Sequence, residues 1–308
     1  MTRGFPMATT MRDEAWPVRE RIVAFARDAS FELSPRDGAA LAAAALAPGS
    51  RVSITWLPRD ADDDRVAAAR ALHDRGLVPV PHIAARMIED EAHLAGLIGR
   101  LCGEAGVSQL LVIGGDAKQP RGPFAASTDL LSSPALAHPM VRRIAVGGYP
   151  EGHPWAGEAL LDAKIAAIGA LGVTAEVITQ LCFDSGPILA WARVFRARHP
   201  EVPVRLGIAG PASIRTLLRY ARICGVGNSA KALVARGASI ARLLAEAAPD
   251  PLLRDLAETP DIDALAPVGV HLFPFGGFER TARWIGAVAE GHFRFRGSDS
   301  GFQVDPAG

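Results

Sequence analysis

Apolar positions along the chain gather into short runs separated by longer amphipathic stretches. Eight runs rich in Val, Ile and Leu read as strands: Ser30–Leu33, Arg51–Trp56, Val78–His82, Gln109–Ile113, Arg143–Gly147, Ala175–Gln180, Val204–Ile208 and Val268–Phe273. Short, nearly continuous apolar runs are what parallel strands covered on both faces require. Ala- and Leu-rich segments with helical periodicity alternate with them: Asp37–Leu46, Asp63–Arg75, Glu89–Ala105, Pro154–Leu171, Ile188–Arg198, Ser213–Cys224, Ser229–Ala247 and Arg280–Ala289. Gly76, Gly106 and Gly172 follow three of these as C-cap signals, and Pro200 stops a fourth.

Eight strand–helix units in 308 residues predict an α/β fold, a (β/α)8 TIM barrel occupying residues 1–308 as a single domain. A doubly wound open sheet would give the same alternation, but no GxGxxG follows the first strand. Pro249–Pro267 reads as an excursion before the last strand, and residues 1–15 and 297–308 as loose termini.

Composition narrows the function. Lys plus Arg and Asp plus Glu both total 33, so the chain lacks the basic excess expected of a nucleic-acid binder. Cys102, Cys182 and Cys224 are far apart and form no CxxC, which argues against a disulfide framework or a cysteine zinc site. No stretch is long and apolar enough to span a membrane, and the first residues carry charges where a signal peptide needs an apolar run, so a cytoplasmic protein is expected. Oligomeric state is not fixed by any of this.

Barrel chemistry collects at the C-terminal ends of the strands, and unusual residues fall there. Glu32 stands between Phe31 and Leu33 in the first strand, where a carboxylate is costly unless paired or functional. Thr55, His82, the Gly114-Gly115-Asp116 turn and Thr179-Gln180 end the second, third, fourth and sixth strands. The fifth runs into Gly148-Tyr149-Pro150-Glu151-Gly152-His153-Pro154, and the last into Phe273-Pro274-Phe275-Gly276-Gly277.

Taken together, Phe31-Glu32, Val52-Ser53-Ile54-Thr55, Pro81-His82, Gly115-Asp116, Tyr149-Pro150-Glu151-Gly152-His153-Pro154 and Ile178-Thr179-Gln180 resemble the methylenetetrahydrofolate reductase family, in order and spacing, over roughly residues 25–210. The resemblance implies a (β/α)8 barrel that binds tetrahydrofolate derivatives and reduces 5,10-methylenetetrahydrofolate to 5-methyltetrahydrofolate with NADH or NADPH. It implies Glu32 as the general acid that opens the imidazolidine ring. Asp116 would serve catalysis and hold the pterin, Gln180 would bind the pterin, and Phe273, Phe275 and Arg280 are the candidates for further folate contacts. It also implies FAD, with Thr55, His82, Gly114, Gly115, Tyr149, His153 and Asp162 at the positions that line its site.

The sequence departs from the family where the FAD phosphates would be held. Gly114 replaces an arginine, and an asparagine and a basic pair on the following helix correspond to Ile165, Ile168 and Gly169. A pyrophosphate needs cations or N–H donors to replace its water. Lys118, Arg121 and Lys164 are the nearby cations. Two expectations stay open: FAD held in an altered or weaker mode by these cations, or no flavin and hydride passing from NAD(P)H directly to the folate, the second being favoured. The alternative is a reduced-folate-binding barrel used in methyl transfer or demethylation.

Overall fold

The computed structural model describes residues 17–36, 46–153, 157–223, 225–226, 246–275, 277–296 and 301–305. Eight parallel strands form the centre: β1 (Ser30–Leu33), β2 (Arg51–Ile54), β3 (Val78–Ala84), β4 (Gln109–Ile113), β5 (Arg143–Gly148), β6 (Thr174–Cys182), β7 (Val204–Ala209) and β8 (Val268–Phe273). Each pairs with its sequence neighbours, and β1 pairs with both β2 and β8, closing the sheet into a barrel. The helices are α1 (Val18–Arg27), α2 (Asp62–His73), α3 (Glu91–Ala105), α4 (Ser127–Leu131), α5 (Glu158–Ala170), α6 (Ser185–Arg198), α7 (Ile214–Ile223), α8 (Asp250–Glu258) and α9 (Phe278–Ala289). The protein is a (β/α)8 barrel.

Strand alternation sorts side chains into two cores. Phe31, Leu33, Val52, Ile54, Leu110, Val112, Ile144, Val146, Leu206, Ile208, Val270 and Leu272 pack outward against the helices. Val80, Leu111, Ala145 and Ile178 form a small apolar cluster of their own inside the barrel. With so little apolar filling, much of the interior is polar, and the polar groups sit at its two ends.

At the N-terminal end Glu176 accepts from Arg51 Nη1 (2.7 Å), Arg205 Nε (3.1 Å) and Arg143 Nη1 (3.3 Å). Arg205 and Arg51 also reach Asp28, at 2.9 Å and 3.5 Å. Burying a carboxylate costs several kcal/mol unless cations and hydrogen bonds replace its water, and here they do.

Several boundaries and elements differ from the sequence reading. Strand β3 runs two residues beyond His82, and β6 extends from Thr174 to Cys182. Helix α1, α8 within the supposed excursion, and α4 were not anticipated. Part of the C-terminal segment read as loose is ordered: Phe302–Val304 pairs antiparallel with Phe293–Phe295, and Phe302 stacks on Trp284. Helix α5 begins at Glu158, and Glu246–Ala247 forms a short ladder with Ala212–Ser213 where a helix end was expected. All of the predicted helix Asp37–Leu46 but Leu46, and most of Ser229–Ala247, lie outside the described residues, as do Pro154, Gly276 and Cys224.

Candidate active site at the barrel mouth

Glu32 lies on β1 between two residues of the outer core, so strand parity turns it inward toward the mouth. Its side chain is 23% exposed, open to a ligand yet mostly enclosed by protein. Burial lifts its pKa from 4.5 to about 7. It faces His82 on β3, whose Nε2 stands 3.5 Å from Glu32 Oε2. Burial and then the charge of Arg65 push His82 down to about 3, so the imidazole is neutral and supplies no cation to stabilise a carboxylate. A carboxyl near pH 7 with a neutral neighbour is a group that holds a proton at neutral pH and can release it.

One layer deeper, His271 on β8 is fully buried, with Nδ1 2.8 Å from Ser30 Oγ. Burial, and then His82 and Arg51, lower its pKa to about 3. The Nε2 atoms of His82 and His271 and Thr55 Oγ1 are buried polar atoms without a hydrogen-bond partner among the described residues. Such atoms are costly to leave unmet, and their position below the mouth suits polar atoms brought by water or a ligand. The sequence shows His271 as a polar residue near the end of the last strand and gives it no role. Its equivalence to His82 depends on the β1–β8 closure, which no local signal announces.

Phe273 ends β8 and meets the His271 ring edge-on at 4.9 Å. Phe275 follows with φ +47°, a left-handed conformation that costs a bulky residue energy. It is sandwiched by aromatic contacts, stacking on Tyr220 at 3.9 Å and lying parallel to Phe273 at 6.0 Å. These rings form one flat apolar wall of the rim.

Gln180 sits on an irregularity. The β6–β7 register shifts between Ile178 and Leu181, so Thr179 and Gln180 share one step of the partner strand. Thr179 Oγ1 accepts from Gly207 N at 2.8 Å, and Leu181 takes the position opposite Gly207. A Cβ on Gly207 would run into the Thr179 carbonyl oxygen and lie 2.8 Å from both the Gln180 carbonyl oxygen and the Phe273 ring, so only glycine admits the bulge here. Gln180 is half-buried on that bulge.

The other predicted residues spread outward. Asp116 is exposed in the turn after β4, beyond Gly114 and the left-handed Gly115 (φ +87°). Tyr149 leans back over the end of β5 and packs, with its ring tilted by 39°, against the exposed His153 at 4.5 Å. Asp162 is taken up by His199 (2.6 Å) and Arg198 (3.1 Å). Arg280 Nε donates to the Pro211 carbonyl at 3.0 Å and lines a separate cleft with Trp284 and Phe302. The strand ends thus bring Glu32, Thr55, His82 and Phe273 to one mouth, whereas Asp162 and Arg280 belong to other surroundings.

None of the four positions at which the resembled family holds the FAD phosphates carries a cation or a hydrogen-bonding side chain here. Ile168 is fully buried in the outer core, Ile165 packs against it, and Gly114 and Gly169 have no side chain to offer. Arg121 Nη2 donates to the Pro58 carbonyl at 3.1 Å.

No protein-family model matches the chain. Among solved structures it is similar to a deoxyribose phosphate aldolase from Aeropyrum pernix, 13% identical over 88% of this chain and 97% of that one, with a TM-score of 0.38. A Serratia marcescens short-chain dehydrogenase/reductase is 16% identical over 82% of this chain and 98% of that one, with a TM-score of 0.23. Overlaps this loose say nothing of chemistry, and the barrel is established by its own strand pairing.

Proposed function

We propose that this chain is a methylenetetrahydrofolate reductase in which NADH or NADPH gives its hydride directly to the folate, with no flavin between them. The observation that carries this reading is Glu32: a carboxyl at the barrel mouth whose pKa is raised to about 7 and which faces a neutral histidine at 3.5 Å. The motif resemblance supplies the substrate class, and the apolar positions where FAD phosphates would lie support the direct route.

In this reading Glu32 donates its proton toward N10 of 5,10-methylenetetrahydrofolate. The C–N10 bond breaks, its electron pair stays on N10, and an iminium remains at N5. Hydride from the dihydronicotinamide then adds to the iminium carbon, giving the N5-methyl product and the oxidised nicotinamide. His82, being neutral, leaves the carboxyl protonated until the substrate draws on it. Phe273 and Phe275 offer an aromatic wall to the pterin or aminobenzoate. The test follows NADH oxidation at 340 nm with methylenetetrahydrofolate, with and without added FAD, alongside absorbance near 450 nm. Substrate-dependent oxidation by colourless protein, unaffected by FAD, is expected. Absence of oxidation favours the methyl-transfer alternative, and stoichiometric bound FAD overturns the direct route.

A further inference from the structure

The cleft between α5 and α6 is not explained by the chemistry at the mouth. It has a volume of about 430 Å³, and its walls include Tyr149, Leu161, Lys164, Pro187 and Trp191. Lys164 is the anomaly. It is only 6% exposed, and among the described residues its ammonium has no hydrogen-bond or ion-pair partner. Burial alone lowers its pKa. The carboxylates nearest in sequence are engaged elsewhere, Glu158 with Arg198 and Asp162 with His199 and Arg198. Its stem is buried while its ammonium opens on the cleft, where an anion would complete the site.

Three further features give the shape of that anion. Trp191 is a flat wall, stacked on Phe195 at 5.0 Å and packed so near β5 that a Cβ on Gly148 would lie 2.9 Å from its ring. Gly157 and Glu158, at the start of the thirteen-residue α5, line the cleft, and Gly157 supplies no side-chain cap to the helix amides. Gly147 lines it too, and a Cβ there would lie 3.1 Å from the Tyr149 hydroxyl, so Tyr149 folds across the strand end next to the mouth. One cation, helix amides and an aromatic wall, reaching the end of a barrel strand, match a phosphate joined to a planar base.

We propose that this cleft anchors the phosphate-bearing half of the nicotinamide dinucleotide, with Lys164 meeting the phosphates and Trp191 the adenine, while the nicotinamide reaches the mouth over Gly147. The proposal rests on the reductase reading for the identity of the dinucleotide, but binding tests it separately. Isothermal titration with ADP is expected to show binding to the wild-type protein that Lys164→Met weakens about 10- to 100-fold and Lys164→Arg largely retains. In turnover Lys164→Met should raise KM for NADH by a similar factor, with kcat within about threefold. Its Tm in the absence of nucleotide should rise, because the unpaired cation is gone, whereas a structural lysine would give a fall. ADP that does not bind the wild type, binding indifferent to Lys164→Met, or a lower Tm overturns the proposal. So does a tri-γ-glutamate peptide that takes the cleft in place of ADP. Lys164-dependent ADP binding without any folate-dependent NADH oxidation would leave the cleft standing and remove the reductase. NADH oxidation with ADP binding insensitive to Lys164 would do the reverse.

Discussion

The two ends of the barrel interior each hold a carboxylate on an inward-facing strand position, and they treat it in opposite ways. At the N-terminal end Glu176 is gripped by three arginines within 3.3 Å. At the C-terminal end Glu32 has a neutral imidazole at 3.5 Å, and burial raises its pKa to about 7. In one case the protein supplies the charge that water would have screened; in the other it withholds it. A fully compensated ion cluster makes a floor, and an uncompensated acid is available for chemistry. The composition of the barrel is the same residue type twice, and the neighbours decide the role.

The most severe way to test this contrast is Glu32→Gln. It keeps shape and hydrogen-bonding capacity but removes the transferable proton, so kcat should fall about 10²- to 10⁴-fold while folate affinity stays within a few fold. Steady-state and equilibrium-binding measurements on the same preparation read both. At the floor, Glu176→Gln should leave the arginines facing one another with only Asp28 to share. A loss of about 3–5 kcal/mol in unfolding free energy is expected from denaturant titration. If the two substitutions exchange their effects, the assignment of floor and site is inverted.

The pH dependence of stability sharpens the comparison. The folded-state pKa of Glu32 lies above its ordinary 4.5, so the stability it contributes is present below pH 4.5 and is lost as pH rises through about 7. Complete loss amounts to up to about 3 kcal/mol. His82 and His271 act in the other direction. Held near 3 against an ordinary 6.5, they contribute stability above pH 6.5 that is lost as pH falls toward 3. Between pH 4.5 and 8 the stability of Glu32→Gln should therefore gain on the wild type by up to about 3 kcal/mol, read as a widening Tm difference. A constant difference would mean that Glu32 titrates normally. Smallest is Gly207→Ala, whose methyl must displace the Thr179 carbonyl as well as the Gln180 carbonyl and the Phe273 ring. An overpacking cost of about 1–3 kcal/mol in thermal unfolding is expected.

How much of this the sequence disclosed follows from the range of each interaction. Strands β1, β4 and β8 are bounded as their apolar runs suggest, because those runs are local and their ends abrupt. Glu32 and His82 are visible as polar residues in apolar strands, and closure of the barrel brings them to 3.5 Å. The floor cluster is not legible in the sequence, because Asp28, Arg51, Arg143, Glu176 and Arg205 are far apart along the chain and only the closed sheet brings them together. The bulge at Thr179-Gln180 escapes an alternation argument, since its cause is a contact with Gly207 on the next strand. Lys164 shares the buried face of its helix with Leu161 and Ile168, three before and four after it, but a lone lysine in the sequence reads as an ordinary solvated charge.

The central claim is that the mouth holds a proton at neutral pH on Glu32. It is tested most directly by a carbon-13 NMR titration of the glutamate carboxyls, with the Glu32 signal assigned by its loss in Glu32→Gln. A midpoint near 7 is predicted. A midpoint at or below the ordinary value of 4.5 would contradict it.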